Sequence, residues 1–138
     1  MNATDFRKLL HAKSYKATPS RLAMLALLSR VTKPLSVPDI RKRLGGKHYD
    51  QATVYRTLLM LKKMGIVKQI DFQHGMSYYE LSARGDHHHV ICTTCERIED
   101  VQECCVVGMD SLVLQQSGFA EITQHSLEFF GICKRCKA

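Results

Sequence analysis

Two Cys-x2-Cys pairs, Cys92/Cys95 and Cys133/Cys136, frame 37 residues near the end of a 138-residue chain. No other feature restricts the fold as much. Each pair puts two sulfurs on one side of a tight loop, and two such loops together offer the four thiolates of a tetrahedral structural Zn2+. The chain between them must then leave one point and return to it. Four thiolates around one Zn2+ carry −2, and Lys134, Arg135 and Lys137 stand beside them to offset it. A redox dithiol or disulfides are the competing readings. One pair alone would leave the redox reading open; two pairs favour zinc. The N-terminus shows no basic-then-apolar-then-small signal pattern, which points to a reducing, cytoplasmic compartment where such pairs hold metal. Cys104 and Cys105 are adjacent, have no partner pair, and read as small core residues opening an apolar helix.

Charge divides the chain. Residues 1–81 hold 15 Lys/Arg and 5 Asp/Glu, a balance of +10, whereas residues 82–138 hold 5 and 8, a balance of −3. A basic half joined to a mildly acidic half suggests that only the first meets a polyanion. A solvated basic face without a partner would look the same in charge alone, so local pattern decides. With 45% apolar residues the chain can build a core. No apolar run approaches the roughly 18 residues of a membrane helix, so no membrane partner is expected.

The basic half reads as helices followed by a hairpin. Phe6, Leu9 and Leu10 sit at helical spacing in residues 4–13. Thr18-Pro19-Ser20 opens a second helix, with Thr18 as N-cap and Pro19 in the first turn, running to about Val31. Ser36 caps a short helix with Ile40 and Leu44 on its core face, stopped at Gly45-Gly46. Residues 50–64 place Val54, Leu58 and Leu61 at i, i+4, i+7, one buried face, and leave Gln51, Tyr55, Arg56, Lys62 and Lys63 elsewhere. Extended runs at 66–72 and 76–81 flank a Gln73-His74-Gly75 turn. Three helices then a hairpin is the order of a winged helix, with residues 50–64 as the recognition helix of a helix-turn-helix. Tyr55 and Arg56 flank buried Val54 on that helix, which favours DNA contact over an ordinary solvated face.

Residues 82–86, small and polar with a glycine, mark a hinge between a domain at 1–81 and one at 87–138. Beyond it, residues 87–91 and 97–101 read as strands, 102–117 as a helix ended by Gly118, and 119–131 as one long strand with mixed faces. A unit of about 50 residues needs a metal, a partner chain or both to hold its fold, and zinc would supply that free energy. The fold class is α+β: an N-terminal winged helix-turn-helix, then a small C-terminal α/β domain.

Asp86-His87-His88-His89 is a second dense ligand cluster. On a strand, His87 and His89 point one way, Asp86 and His88 the other. Two nitrogen–oxygen sites follow: His87 and His89 with Glu80 from the wing, and Asp86 and His88 with His125. Such ligands suit Fe2+, Mn2+, Zn2+, Co2+ or Ni2+ without choosing among them. Glu80 precedes the hinge and His87/His89 follow it, so a metal on all three would fix one arrangement of the domains and shift the population towards it.

These strings together resemble the ferric uptake regulator family of bacterial metal-dependent transcription factors over nearly the whole chain. The marks are Thr18-Pro19-Ser20-Arg21, Ala52-Thr53-Val54-Tyr55-Arg56-Thr57-Leu58, Tyr79-Glu80-Leu81, His87-His88-His89-x2-Cys92-x2-Cys95, His125-Ser126-Leu127 and Gly131-Ile132-Cys133-x2-Cys136. The resemblance implies a C-terminal dimerisation domain and a homodimer on AT-rich inverted repeats of double-stranded DNA. It also implies repression of metal-uptake or stress genes when metal is bound. It assigns Lys16, Arg21, Tyr55 and Arg56 to DNA contact, and Cys92, Cys95, Cys133 and Cys136 to structural Zn2+. Glu80, His87 and His89 match a regulatory site for a second divalent ion (Fe2+, Mn2+ or Zn2+). His88 and His125 match an additional site, where Asp86 stands for a common His. Two departures are visible. Residues 32–36 hold no His, where the family places a further regulatory ligand. Val107 stands near the additional site's acidic position, between Glu103 and Asp110.

Two other readings use the same residues. Without the His at residues 32–36, the chain could bind DNA constitutively and keep only its structural zinc. A zinc hydrolase would need three ligands, an open position and a general base. No His-Glu-x-x-His string appears and the basic winged helix would go unexplained, so an enzyme, or any small organic substrate, is not expected.

Overall fold

A computed structural model of the chain describes residues 1–72, 75–85, 87–102 and 108–138. The chain divides into two compact units, Met1–Gly85 and Asp86–Ala138.

The first unit is helical up to its wing. Helix α1 (Ala3–Ala12) starts at Asn2, whose side chain accepts from the Asp5 N–H while the Asp5 carboxylate accepts from the Asn2 N–H. This reciprocal cap satisfies two otherwise orphaned donors. Helix α2 (Pro19–Arg30) starts at Thr18, as its Thr-Pro-Ser opening implies. Helix α3 (Val37–Arg43) is capped by buried Ser36, with Asp39 closing the box. Helix α4 (Gln51–Lys63) is capped by Asp50 through the Thr53 N–H at 2.6 Å.

Val54, Leu58 and Leu61 of α4 are fully buried against Phe6, Leu10, Met24, Leu25, Leu28 and Ile40. This single cluster seats α4 and decides which of its faces remains outside. Arg41 Nε donates to the Tyr49 carbonyl at 3.0 Å and so fastens the α3–α4 connection.

Strand β1 (Leu35–Ser36), too short to show alternation in the sequence, pairs antiparallel with β3 (Ser77–Leu81). Strand β3 also pairs with β2 (Val67–Asp71), giving the order β1-β3-β2. The fold of this unit is a winged helix. Gln73 and His74 of the expected turn lie outside the described residues.

The second unit is built on β4 (His88–Cys92). It pairs antiparallel with β5 (Ile98–Val101) and parallel with β6 (Glu128–Gly131), in the order β5-β4-β6. Helix α5 (Met109–Ser117) and a last helical turn, α6 (Lys134–Lys137), complete it.

Two expectations change here. The helix expected over 102–117 begins at Met109, because Gly108 takes φ 91° and interrupts helical geometry before it. The end at Gly118 stands, with φ 70°. Residues 103–107, Cys104 and Cys105 among them, lie outside the described residues. The long strand expected over 119–131 is a strand only from Glu128. Its parallel register pairs His89 with Glu128, so residue 127 falls opposite His88, the first residue of β4, and residues before 127 would need partners upstream of it. A strand without a ladder leaves its amide groups unpaired, and 119–127 runs as irregular chain. Among the described residues, no helix is long and apolar enough to cross a membrane.

Candidate metal centre and nucleic-acid interface

The β4–β6 pairing makes the cysteine cluster. It sets Cys92 beside Gly131, and the Thr93 N–H donates to the Gly131 carbonyl at 2.8 Å. Cys133, two residues further on, therefore reaches Cys92, and its N–H donates to Cys92 Sγ at 3.3 Å. Cys95 closes from the turn after β4, and Cys136 from α6. The sulfurs of Cys92, Cys95, Cys133 and Cys136 all lie within 4.8 Å of one another. Cys95 and Cys133 Sγ are 3.8 Å apart. A zinc tetrahedron with Zn–S bonds of about 2.3 Å has sulfur–sulfur edges of about 3.8 Å, whereas a disulfide needs about 2.05 Å. All four are free thiols, and their spacing fits the ion.

The cluster is electrostatically prepared. Backbone N–H groups of Cys133, Cys95 and Thr94 aim at the Cys92 sulfur and bring its thiol down to about 6. The Cys136 backbone lowers Cys133 in the same way. Cys136 is pushed up to about 12, first by its contact with Cys133 and then with Cys95. Crowded thiolates hold the last proton until a cation arrives.

Along β4 the imidazoles alternate. The rings of His87 and His89 meet edge-on, centroids 4.9 Å apart. His88 faces elsewhere: its Nδ1 lies 3.1 Å from the Leu127 carbonyl and its ring 5.5 Å from that of His125. A carbonyl only accepts, so His88 Nδ1 is the donor in this contact, which leaves Nε2 as the ring's ligand position. His87, His88 and His89 are all buried.

One carboxylate was not evident from the sequence. Asp100 on β5 is the cross-strand partner of His89, and its Oδ1 lies 3.6 Å from His89 Nε2. The signal for it was the strand pairing itself, which the linear pattern does not contain. Asp110 Oδ1 lies 4.0 Å from His125 Nδ1. His125 itself sits in irregular chain, not on the long strand expected for it. Asp86 lies outside the described residues.

Glu80 belongs to the first unit and is 2% exposed on β3. Its Oε1 is 3.0 Å from Lys68 Nζ and its Oε2 2.7 Å from Arg84 Nη1.

The solvent side of α4 presents Gln51, Tyr55 and Arg56, with Tyr55 47% exposed. Arg41, Lys42 and Arg43 end α3 in the open. Lys16 is exposed and Arg21 is half-buried. Its Nη1 donates to the Lys16 carbonyl at 2.7 Å, and its guanidinium lies 5.8 Å from the Tyr15 ring centroid. Arg21 thus braces the backbone that carries Lys16.

Comparison with known proteins places these features in context. A family model described as the ferric uptake regulator family matches residues 12–130. The "Ferric uptake regulation protein" of Bacillus subtilis (strain 168) is 35% identical over 94% of this chain and 91% of its own. The "Peroxide operon regulator" of the same organism is 31% identical over 88% and 83%. The solved structure of the Vibrio cholerae ferric uptake regulator, whose description speaks of its DNA-binding domains, superposes with a TM-score of 0.80 at 28% identity. That match covers 92% of this chain and 98% of that one.

Proposed function

The chain belongs to the ferric uptake regulator family, and from that premise we propose that it is a metal-responsive transcriptional regulator that binds double-stranded DNA as a homodimer in the cytoplasm. It represses metal-uptake or stress genes from AT-rich inverted repeats. The winged helix at 1–81 reads DNA, residues 82–86 act as the hinge, and 87–138 dimerises and holds metal.

Helix α4 carries this reading. Its buried stripe of Val54, Leu58 and Leu61 fixes the outward face, and that face offers Tyr55 and Arg56 to the major groove. An Arg there can pair with guanine through two hydrogen bonds. Lys16 contacts the DNA backbone, and Arg21 contributes through Lys16 as well as by its own charge.

Cys92, Cys95, Cys133 and Cys136 hold the structural Zn2+. Glu80, His87 and His89 hold the regulatory Fe2+, Mn2+ or Zn2+, and Asp100 is added as a fourth donor on the strength of its approach to His89. Such an ion, when bound, would supply positive charge and coordinate bonds to these donors. Asp86, His88 and His125 form the additional site, with Asp110 the carboxylate beside His125.

A second reading rests on one observation: residues 32–36 carry no His. In that reading the regulatory site stays empty and DNA binding is constitutive. One experiment separates the two. Zinc-loaded protein is treated with a mild chelator, metals are counted by elemental mass spectrometry, and Mn2+, Fe2+ and Zn2+ are returned separately. DNA affinity is measured at fixed salt before and after, since salt alone changes it. One chelator-resistant zinc and one refillable ion that raises DNA affinity is the expected result. DNA affinity that ignores the refill would select constitutive binding.

A further inference from the structure

Glu80 is a carboxylate at 2% exposure, and at such a position an anion needs compensation. The winged-helix unit supplies it twice over. Lys68 is the residue directly opposite Glu80 in the β2–β3 ladder, so the register builds this ion pair into the wing. Arg84, four residues after Glu80, reaches back from the 3-10 turn at Ser82–Arg84. One oxygen faces the ammonium and the other the guanidinium, at 3.0 and 2.7 Å. Two cations among the described residues therefore attend the Glu80 carboxylate.

We propose that Lys68 and Arg84 set the metal affinity of the regulatory site, as internal counter-cations that Glu80 must exchange for the metal. The inference rests on Glu80 being a ligand, as read above. Turning a Glu80 oxygen towards a dication while both ammonium and guanidinium remain against it brings like charges close together and weakens metal binding. The repulsion is relieved if one of the two leaves. Both can: their side chains are 36% and 21% exposed, and long basic side chains move their heads into water while their stems stay packed. The metal affinity is thus an exchange constant, lower than the donor set alone would give. Arg84 also ends the turn before Gly85, whose φ is 79°. The arm that Glu80 releases therefore lies at the last residues of the first unit.

The test uses full-length, zinc-loaded protein, with Mn2+ as the titrant and Co2+ absorption as a second readout. The variants are Lys68→Gln, Arg84→Gln, Arg84→Lys and Glu80→Gln. Thermal melts with and without Mn2+ check that each is folded. Lys68→Gln and Arg84→Gln are expected to bind Mn2+ roughly five- to tenfold more tightly, with zinc content unchanged and Arg84→Lys close to the parent. If Glu80→Gln loses Mn2+ while Lys68→Gln and Arg84→Gln bind equally or more weakly, the exchange is overturned and Glu80 remains a ligand. If Glu80→Gln binds Mn2+ as the parent does, Glu80 is not a ligand and the proposal falls with that reading.

Discussion

The Cys133 N–H donates to the sulfur of Cys92 at 3.3 Å, across 41 positions of chain. The same contact helps hold the Cys92 thiol near 6, while Cys136 rises to about 12. Zinc binding therefore starts from a partly ionised cluster. At pH 7 the lowered Cys92 thiol is largely ionised, and Cys136, held up by its neighbours, must still give its proton to the solvent when metal enters. Calorimetry in buffers of different ionisation enthalpy should find fewer than four protons released per zinc. Zinc affinity should fall as pH drops through 6, because protons then return to Cys92 and compete with the ion. Release of four protons at pH 7 would contradict the electrostatics of the cluster.

Leu58 is fully buried in the middle of α4. Leu58→Ala leaves a cavity in the cluster that seats this helix, and is expected to cost about 2–5 kcal/mol of unfolding free energy. Denaturant titration of the full chain measures it, with zinc content as an internal check on the second unit. A cost below about 1 kcal/mol would mean that the α4 contacts do not hold the helix.

For DNA, Arg56→Ala is expected to weaken operator binding by about 1–3 kcal/mol. Arg21 differs, since its guanidinium is bonded to the Lys16 carbonyl. The losses from Arg21→Ala and Lys16→Ala should therefore be non-additive in a double-mutant cycle. Strict additivity would give Arg21 an independent contact.

Asp100 gives a fourth prediction. Asp100→Ala should reduce Mn2+ affinity about 10–100-fold, the usual range for a lost ligand or its supporting partner, without changing zinc content. Unchanged Mn2+ binding would remove Asp100 from the site.

What the sequence revealed depended on the range of the interactions. The caps at Thr18 and Ser36 and the buried stripe of α4 are local, and they are legible as spacing. The cysteine cluster is long-range, but thiolate pairs have few other uses in a reducing compartment, so residue type replaced distance information. Asp100 had no such signal: an Asp on a short strand is ordinary until β5 is laid beside β4. The strand over 119–131 failed for the opposite reason. Its alternation was present, but β4 begins at His88 and offers nothing further to pair with. Helix α5 starts after Gly108, whose φ of 91° sets a boundary that the apolar spacing of the sequence does not mark.

The two neighbours of β4 also differ in how they arrive. β5 returns after residues 93–97, but β6 must come back after 93–127. A short antiparallel hairpin closes in microseconds, whereas a parallel strand after a long excursion pays the entropy of closing a large loop first. The knuckle of Cys92 and Cys95 is therefore ready early and waits for Cys133 and Cys136. An ion held by the first two sulfurs would be placed to take up the last two, so maturation of the second unit after synthesis is expected to quicken with the supply of free zinc.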